Sequence, residues 1–138
     1  MLARPPATVV RRLEKAEQSE IVALLNPIGA RVYVLGTRRR RGAPCPHCGT
    51  FVSEDQRTRQ TPGFCDLLAF LPWRLTGGVP ARRLLMIEVK SARGALRPEQ
   101  REFRDLCAAA GVDHLVGTAA TVRDWLEHED YIRSRSHA

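Results

Sequence analysis

The chain reads as an α/β domain, and three observations carry that reading. A segment with helical apolar spacing near the amino terminus is followed by short apolar runs of strand length, at 31–35, within 62–71 and at 84–90. Two more helix-period segments then flank another short run at 114–117. Nine prolines and ten glycines fall between these segments as punctuation, with no low-complexity tract and no internal repeat. At 138 residues and 43% hydrophobic content the chain can enclose one core and is short for two, so a single domain over 1–138 is expected.

Taken in order, Thr8 is placed to cap a first helix that reaches about residue 26, with Leu13, Ile21, Leu24 and Leu25 on one stripe and Pro27 and Gly29 ending it. Glu14 and Glu17 lie on or beside that stripe, where a glutamate packs its stem and sends its head to water. A strand follows at 31–35. From 38 to 61 the chain is polar and reads as a long insertion loop containing arginines and cysteines, and a loop of that length in a small domain is either functional or internally stapled. The staple candidate is Cys45-Pro46-His47-Cys48, which has the spacing of half a zinc site. A tetrahedral Zn²⁺ needs four ligands, so Cys65, His47 or a second subunit would have to complete it; a loop without metal is the competing reading.

Pro62-Gly63 then signals a turn into a second apolar strand with Asp66 at its mouth, and a Gly77-Gly78 turn separates it from the strand at 84–90. Pro98 opens a helix to about residue 110, with Phe103, Leu106 and Cys107 inward and Gly111 as its stop. After a short strand at 114–117, Thr121 is expected to cap a last helix carrying Val122, Trp125 and Leu126, and 134–138 reads as a frayed tail. His114 is expected as a packed or hydrogen-bonded histidine, and Trp73 and Trp125 as core or edge anchors.

The chemistry concentrates in Leu84-Leu85-Met86-Ile87-Glu88-Val89-Lys90. Strand side chains alternate, so Glu88 and Lys90 emerge on one face while Ile87 and Val89 take the other. A carboxylate binds a hard cation through oxygen, and a neighbouring ammonium orients water or offsets charge on a phosphate. Asp66, embedded in an apolar run, is costly to bury unless paired or holding a metal, and it is expected at the same end of a neighbouring strand. The bland alternative makes Asp66 a loop cap and Glu88 a partner of Lys90 or an arginine on an exposed strand face. Gln100, near the start of its helix, either caps that helix or faces a bound phosphate or water.

Formal net charge is +7 and the isoelectric point is near 10.0, which favours an anionic partner. Arg38, Arg39, Arg40 and Arg41 concentrate that charge between the first strand and the Asp66 strand, as a solvated loop or as a contact to a nucleic-acid backbone. No apolar run approaches a membrane span, and the opening Met-Leu-Ala-Arg-Pro-Pro lacks the apolar segment of a secretory signal, so a cytoplasmic location is expected. Four cysteines, two of them in Cys-x-x-Cys, agree with a reducing compartment.

An acid-bearing first helix, Gly63-x-x-Asp66 opening a strand, Glu88-Val89-Lys90 ending the next, and Leu96-Arg97-Pro98-Glu99-Gln100 opening a helix together resemble the virus-type replication-repair nuclease (VRR-NUC) family, a branch of the PD-(D/E)xK nuclease superfamily. The resemblance runs from Glu14 to Trp125. It departs at Cys65, where the family usually has proline. It implies a small restriction-endonuclease-like fold, a central mixed sheet flanked by helices, and Mg²⁺- or Mn²⁺-dependent hydrolysis of DNA in a bacterial cell or phage-infected host. It further implies Glu14, Asp66, Glu88 and the Val89 carbonyl as metal ligands, with Glu17 second to Glu14 and Glu20 behind both. Lys90 and Gln100 would act on the attacking water or the phosphate. Branched or junction DNA is the implied substrate, and a homodimer would bring two sites to it.

Overall fold

A computed structural model describes residues 6–35, 46–49 and 63–133. Helix α1, Ala7–Leu25, begins at Pro6, whose carbonyl accepts from Val9 and Val10 N–H; no side chain caps it, and Thr8 lies inside the first turn instead of before it. The core lies under the carboxyl-terminal turns of α1. Ile21 and Leu25 are fully buried, while Leu13 is 50% exposed and takes no part in the expected stripe. A 3-10 turn at Asn26–Ile28, carrying Pro27, ends the helix and leads into strand β1, Arg31–Val34.

Strand β2 is Leu67–Phe70 and strand β5 is Leu84–Val89; between them, β3 (Arg74–Thr76) and β4 (Val79–Ala81) form a separate hairpin that the sequence reading showed only as a turn. Gly77 and Gly78 both hold positive φ, the backbone that lets a two-residue turn follow the twist of its strands. Helix α2, Pro98–Ala109, leads to β6, Asp113–Gly117, and α3, Ala119–His128, completes the order.

The main sheet is mixed, in the order β1-β2-β5-β6, antiparallel except for the parallel β5–β6 pair that α2 bridges as a crossover. On one face Leu67, Ala69, Leu85, Ile87 and Val89 pack with Ile21 and Leu25 of α1 and Val122 and Leu126 of α3. Burial of such side chains contributes roughly 1.5–3 kcal/mol each before entropy is charged, so this face holds the fold. The other face carries Met86 and Glu88 beneath α2, with Cys107 Sγ 3.8 Å from Met86 Sδ.

Phe103 of α2 meets Phe64 and His114 edge-on, with ring centres 5.1 and 5.6 Å apart. Packing of His114 agrees with expectation, and burial lowers its pKa. Leu106 is 61% exposed, against expectation, because at 100° per residue it falls outside the Gln100–Phe103–Cys107 stripe that meets the sheet. Thr118, in extended backbone, is the N-cap of α3; Thr121 sits three residues on, where its Oγ1 accepts the Thr118 N–H at 3.3 Å. Trp125 stacks on Tyr131, whereas Trp73 is 66% exposed beside the Arg82 guanidinium. Among the described residues no helix is long and apolar enough to cross a membrane.

Candidate active site

Asp66 stands where three strands come together. Its N–H donates to the Ile87 carbonyl at 3.1 Å and its carbonyl accepts from Leu35 at 2.8 Å, so β1 and β5 both hold its backbone. Side-chain Oδ2 accepts the Val89 N–H at 2.8 Å, taking over the edge of β5 where regular strand pairing has stopped. Leu67 pairs with Ile87, which sets Asp66 across from Glu88 on the same face of the sheet. Before it, Cys65 is buried and donates its thiol to the Leu67 carbonyl at 3.4 Å; burial, the largest influence, pushes its pKa to about 11. The thiol therefore stays protonated and supports the turn that delivers Asp66.

Glu88 is 3% exposed, and its Oε1 takes both the Lys90 ammonium, at 3.0 Å, and the Gln100 amide N–H. Lys90 extends the β5–β6 pairing by donating its N–H to the Gly117 carbonyl at 2.9 Å, which keeps its side chain on the Glu88 face. Gln100 is buried and works in two directions. Its Oε1 accepts the Arg97 N–H at 2.9 Å at the start of α2, while its amide reaches Glu88. Both roles weighed from the sequence, helix cap and site residue, are thus present in one side chain.

Burial is the first cause that raises the Glu88 pKa, to about 7, and the Asp66 charge adds to it; Lys90 and Arg97 act in the opposite direction. Asp66 is also raised, mainly by burial, against the Val89 N–H bond and the charges of Lys90 and Arg97. Glu88 Oε2 and Asp66 Oδ1 have no hydrogen-bond partner among the described residues. The uncommitted donors are hard oxygens, a set that suits Mg²⁺ or Mn²⁺ better than Zn²⁺.

Asp66, Glu88, Lys90 and Gln100 are brought together. Glu14 is half-buried on α1, but among the described residues no three His, Cys, Asp or Glu side chains form a metal-holding group, so it does not join the two strand acids as a third ligand here. Glu17 instead accepts the Ala119 N–H at 2.7 Å, tying α1 to the first turn of α3, while Glu20 is exposed. The Val89 side chain faces the core at 2% exposure. Cys48 is exposed in the short described turn at 46–49. Arg38, Arg39, Arg40, Arg41 and Cys45 lie outside the described residues.

Two features escaped the sequence reading. Gly63 holds φ +90, and a Cβ there would fall 2.5 Å from the Glu99 carbonyl, so this glycine lets the Asp66 turn lie against the start of α2. Arg97, whose charge acts on both acids, was traceable in principle, since Pro98 at the first helical position marks the residue before it as the N-cap beside Gln100. No protein-family model, curated protein or solved structure matches the chain.

Proposed function

We propose that the protein is a divalent-metal-dependent endonuclease that hydrolyses DNA phosphodiester bonds, with branched or junction DNA as its preferred substrate. The observation that carries the reading is the register that sets Asp66 opposite Glu88 with Lys90 and Gln100 on the same carboxylate. Support comes also from the element order of helix, three antiparallel strands, crossover helix and parallel strand, which agrees with a restriction-endonuclease-like fold and with the VRR-NUC resemblance.

Asp66 and Glu88 would hold Mg²⁺ or Mn²⁺ through their uncommitted oxygens, with the Val89 carbonyl as the further ligand the resemblance proposes. A bound ion of this kind supplies an acidified water and neutralises charge on the phosphate. The chain's own residues do the rest. Lys90, held by Glu88, presents an ammonium that offsets charge developing on the phosphate. Gln100, fixed at both ends of its amide, orients the group that it faces and keeps Glu88 from turning away. Two copies of the chain would bring one such site to each of two strands of a junction.

A non-catalytic nucleic-acid-binding module is the second reading, and one observation favours it: Glu88 already has two partners within the protein. Incubation of the purified chain with linear, flapped and four-way DNA in Mg²⁺, Mn²⁺ or EDTA separates the two. Cleavage that requires metal supports the nuclease, and binding without cleavage on every substrate overturns it.

A further inference from the structure

Most charges of α2 are sorted by side, with Asp105 on the arginine flank as the exception. At 100° per residue, Arg97, Arg101 and Arg104 fall within an arc of about 60°, and all three are exposed. Glu99 and Glu102 fall on the far flank, and Gln100, Phe103 and Cys107 meet the sheet between the two. The stripe starts at the candidate active site. The Arg97 N–H bonds Gln100, whose amide bonds Glu88, and the Arg97 charge acts on both strand acids.

Of the nine arginines elsewhere among the described residues, three are committed to carbonyls or carboxylates. Arg74 and Arg82 donate to backbone carbonyls, and Arg83 is divided between Asp113 and Glu129. Among the described residues Arg97 and Arg101 have no carboxylate partner, and Arg104 has only its exposed neighbour Asp105. Like charges four residues apart on a helix repel, so local folding does not account for this stripe. A polyanion lying along it would relieve the repulsion. From Arg97 to Arg104 the helix advances roughly 10 Å, against one phosphate per ~3.4 Å of each strand in duplex DNA, which matches about three phosphates.

We propose that Arg97, Arg101 and Arg104 form a track that holds the backbone of a nucleic-acid strand as it leaves the Asp66–Glu88–Lys90 site. Only the direction of that strand rests on the nuclease reading; the track itself is a binding surface and is tested without cleavage.

Fluorescence anisotropy with a labelled DNA duplex in EDTA, over a series of salt concentrations, compares wild type with Arg97→Ala/Arg101→Ala. The control is Arg31→Ala/Arg133→Ala, which removes the same charge from exposed residues away from α2, and circular dichroism checks each variant's fold. The track variant is expected to bind at least about tenfold more weakly and to lose ~2 from the slope of log K against log salt, while the control keeps its slope. Arg97→Lys/Arg101→Lys is expected to keep the slope, because point charges suffice for phosphates. Failure of wild type to bind, equal loss in track and control variants, no loss in either, or a lysine variant as impaired as the alanine one overturns the track. A shifted slope with no cleavage in Mg²⁺ leaves the track standing and the nuclease refuted; cleavage with an unshifted slope does the reverse.

Discussion

Glu88 joins two chemistries that a sequence shows separately. Its carboxylate is buried beside Asp66, and the same oxygen holds Lys90 and Gln100, so it is both a buried acid and the anchor of the site's donors. Asp66→Asn and Glu88→Gln are each expected to abolish metal-dependent cleavage while DNA binding persists, since shape is kept and ligand charge is lost. Cleavage by either variant within a few-fold of wild type, measured at saturating DNA, would remove these residues from the reaction. Lys90→Ala is expected to lower single-turnover cleavage by at least about a hundredfold. The fold should persist, because Glu88 already holds its proton until about pH 7 and can keep it when the ammonium is gone. Equal rates for variant and wild type would reduce the lysine to a structural partner. The Glu88–Lys90 pairing was legible because strand side chains repeat every two residues; the contact with Gln100, twelve residues away on another element, was not.

The turn that leads into β2 and helix α2 act together through a close approach, the backbone of Gly63 against Glu99. Gly63→Ala is expected to cost roughly 1–3 kcal/mol, because alanine disfavours positive φ and its Cβ has no room beside the Glu99 carbonyl. Cleavage should fall more than stability does, since α2 carries Gln100 and the turn carries Asp66; chemical denaturation alongside a cleavage assay reads both. Away from the site, Arg83 grips Asp113 with two hydrogen bonds of 3.0 Å, reaches Glu129, and lies over Trp125 with its guanidinium carbon 5.0 Å from the ring centre. This clamp joins β5, β6 and the end of α3. Arg83→Ala is expected to destabilise the fold by about 1–2 kcal/mol, above the usual surface pair because the geometry is bidentate and shared, with Arg83→Lys recovering little. A lysine variant as stable as wild type in thermal melts would show that charge alone matters there.

Across the whole molecule, the raised pKa of Glu88 becomes a dependence of stability on pH. The metal-free folded state holds this proton more tightly than the unfolded chain, whose carboxyl titrates near 4.5, so stability from this group is complete below that pH and is lost as pH rises through about 7. Asp66 shifts in the same direction. The loss is on the order of 3 kcal/mol or less, and Mg²⁺, which binds the deprotonated pair, should restore stability at pH 8 while doing little at pH 5. Thermal melts with Mg²⁺ or EDTA at the two pH values check this; a melting temperature that ignores Mg²⁺ at pH 8 would argue against a cation at these acids.

The class of the fold, the order of its helices and main-sheet strands, and the placement of Asp66, Glu88 and Lys90 at strand ends were written in the sequence, because periodicity, turn residues and face alternation are local and survive without knowledge of neighbours. The helix caps were misplaced by a few residues at Pro6 and Thr118, since a cap depends on backbone angles that several nearby polar residues could equally supply. Leu13 and Leu106 were assigned inward because spacing gives a face but not the extent of the surface opposite it. Only the tertiary structure decided that Glu17 caps a helix more than a hundred positions away, that Gln100 holds Glu88, and that Gly63 touches α2. Those are contacts between distant segments, and their geometry follows from the register of β2 on β5 and the crossover of α2, which no local pattern encodes.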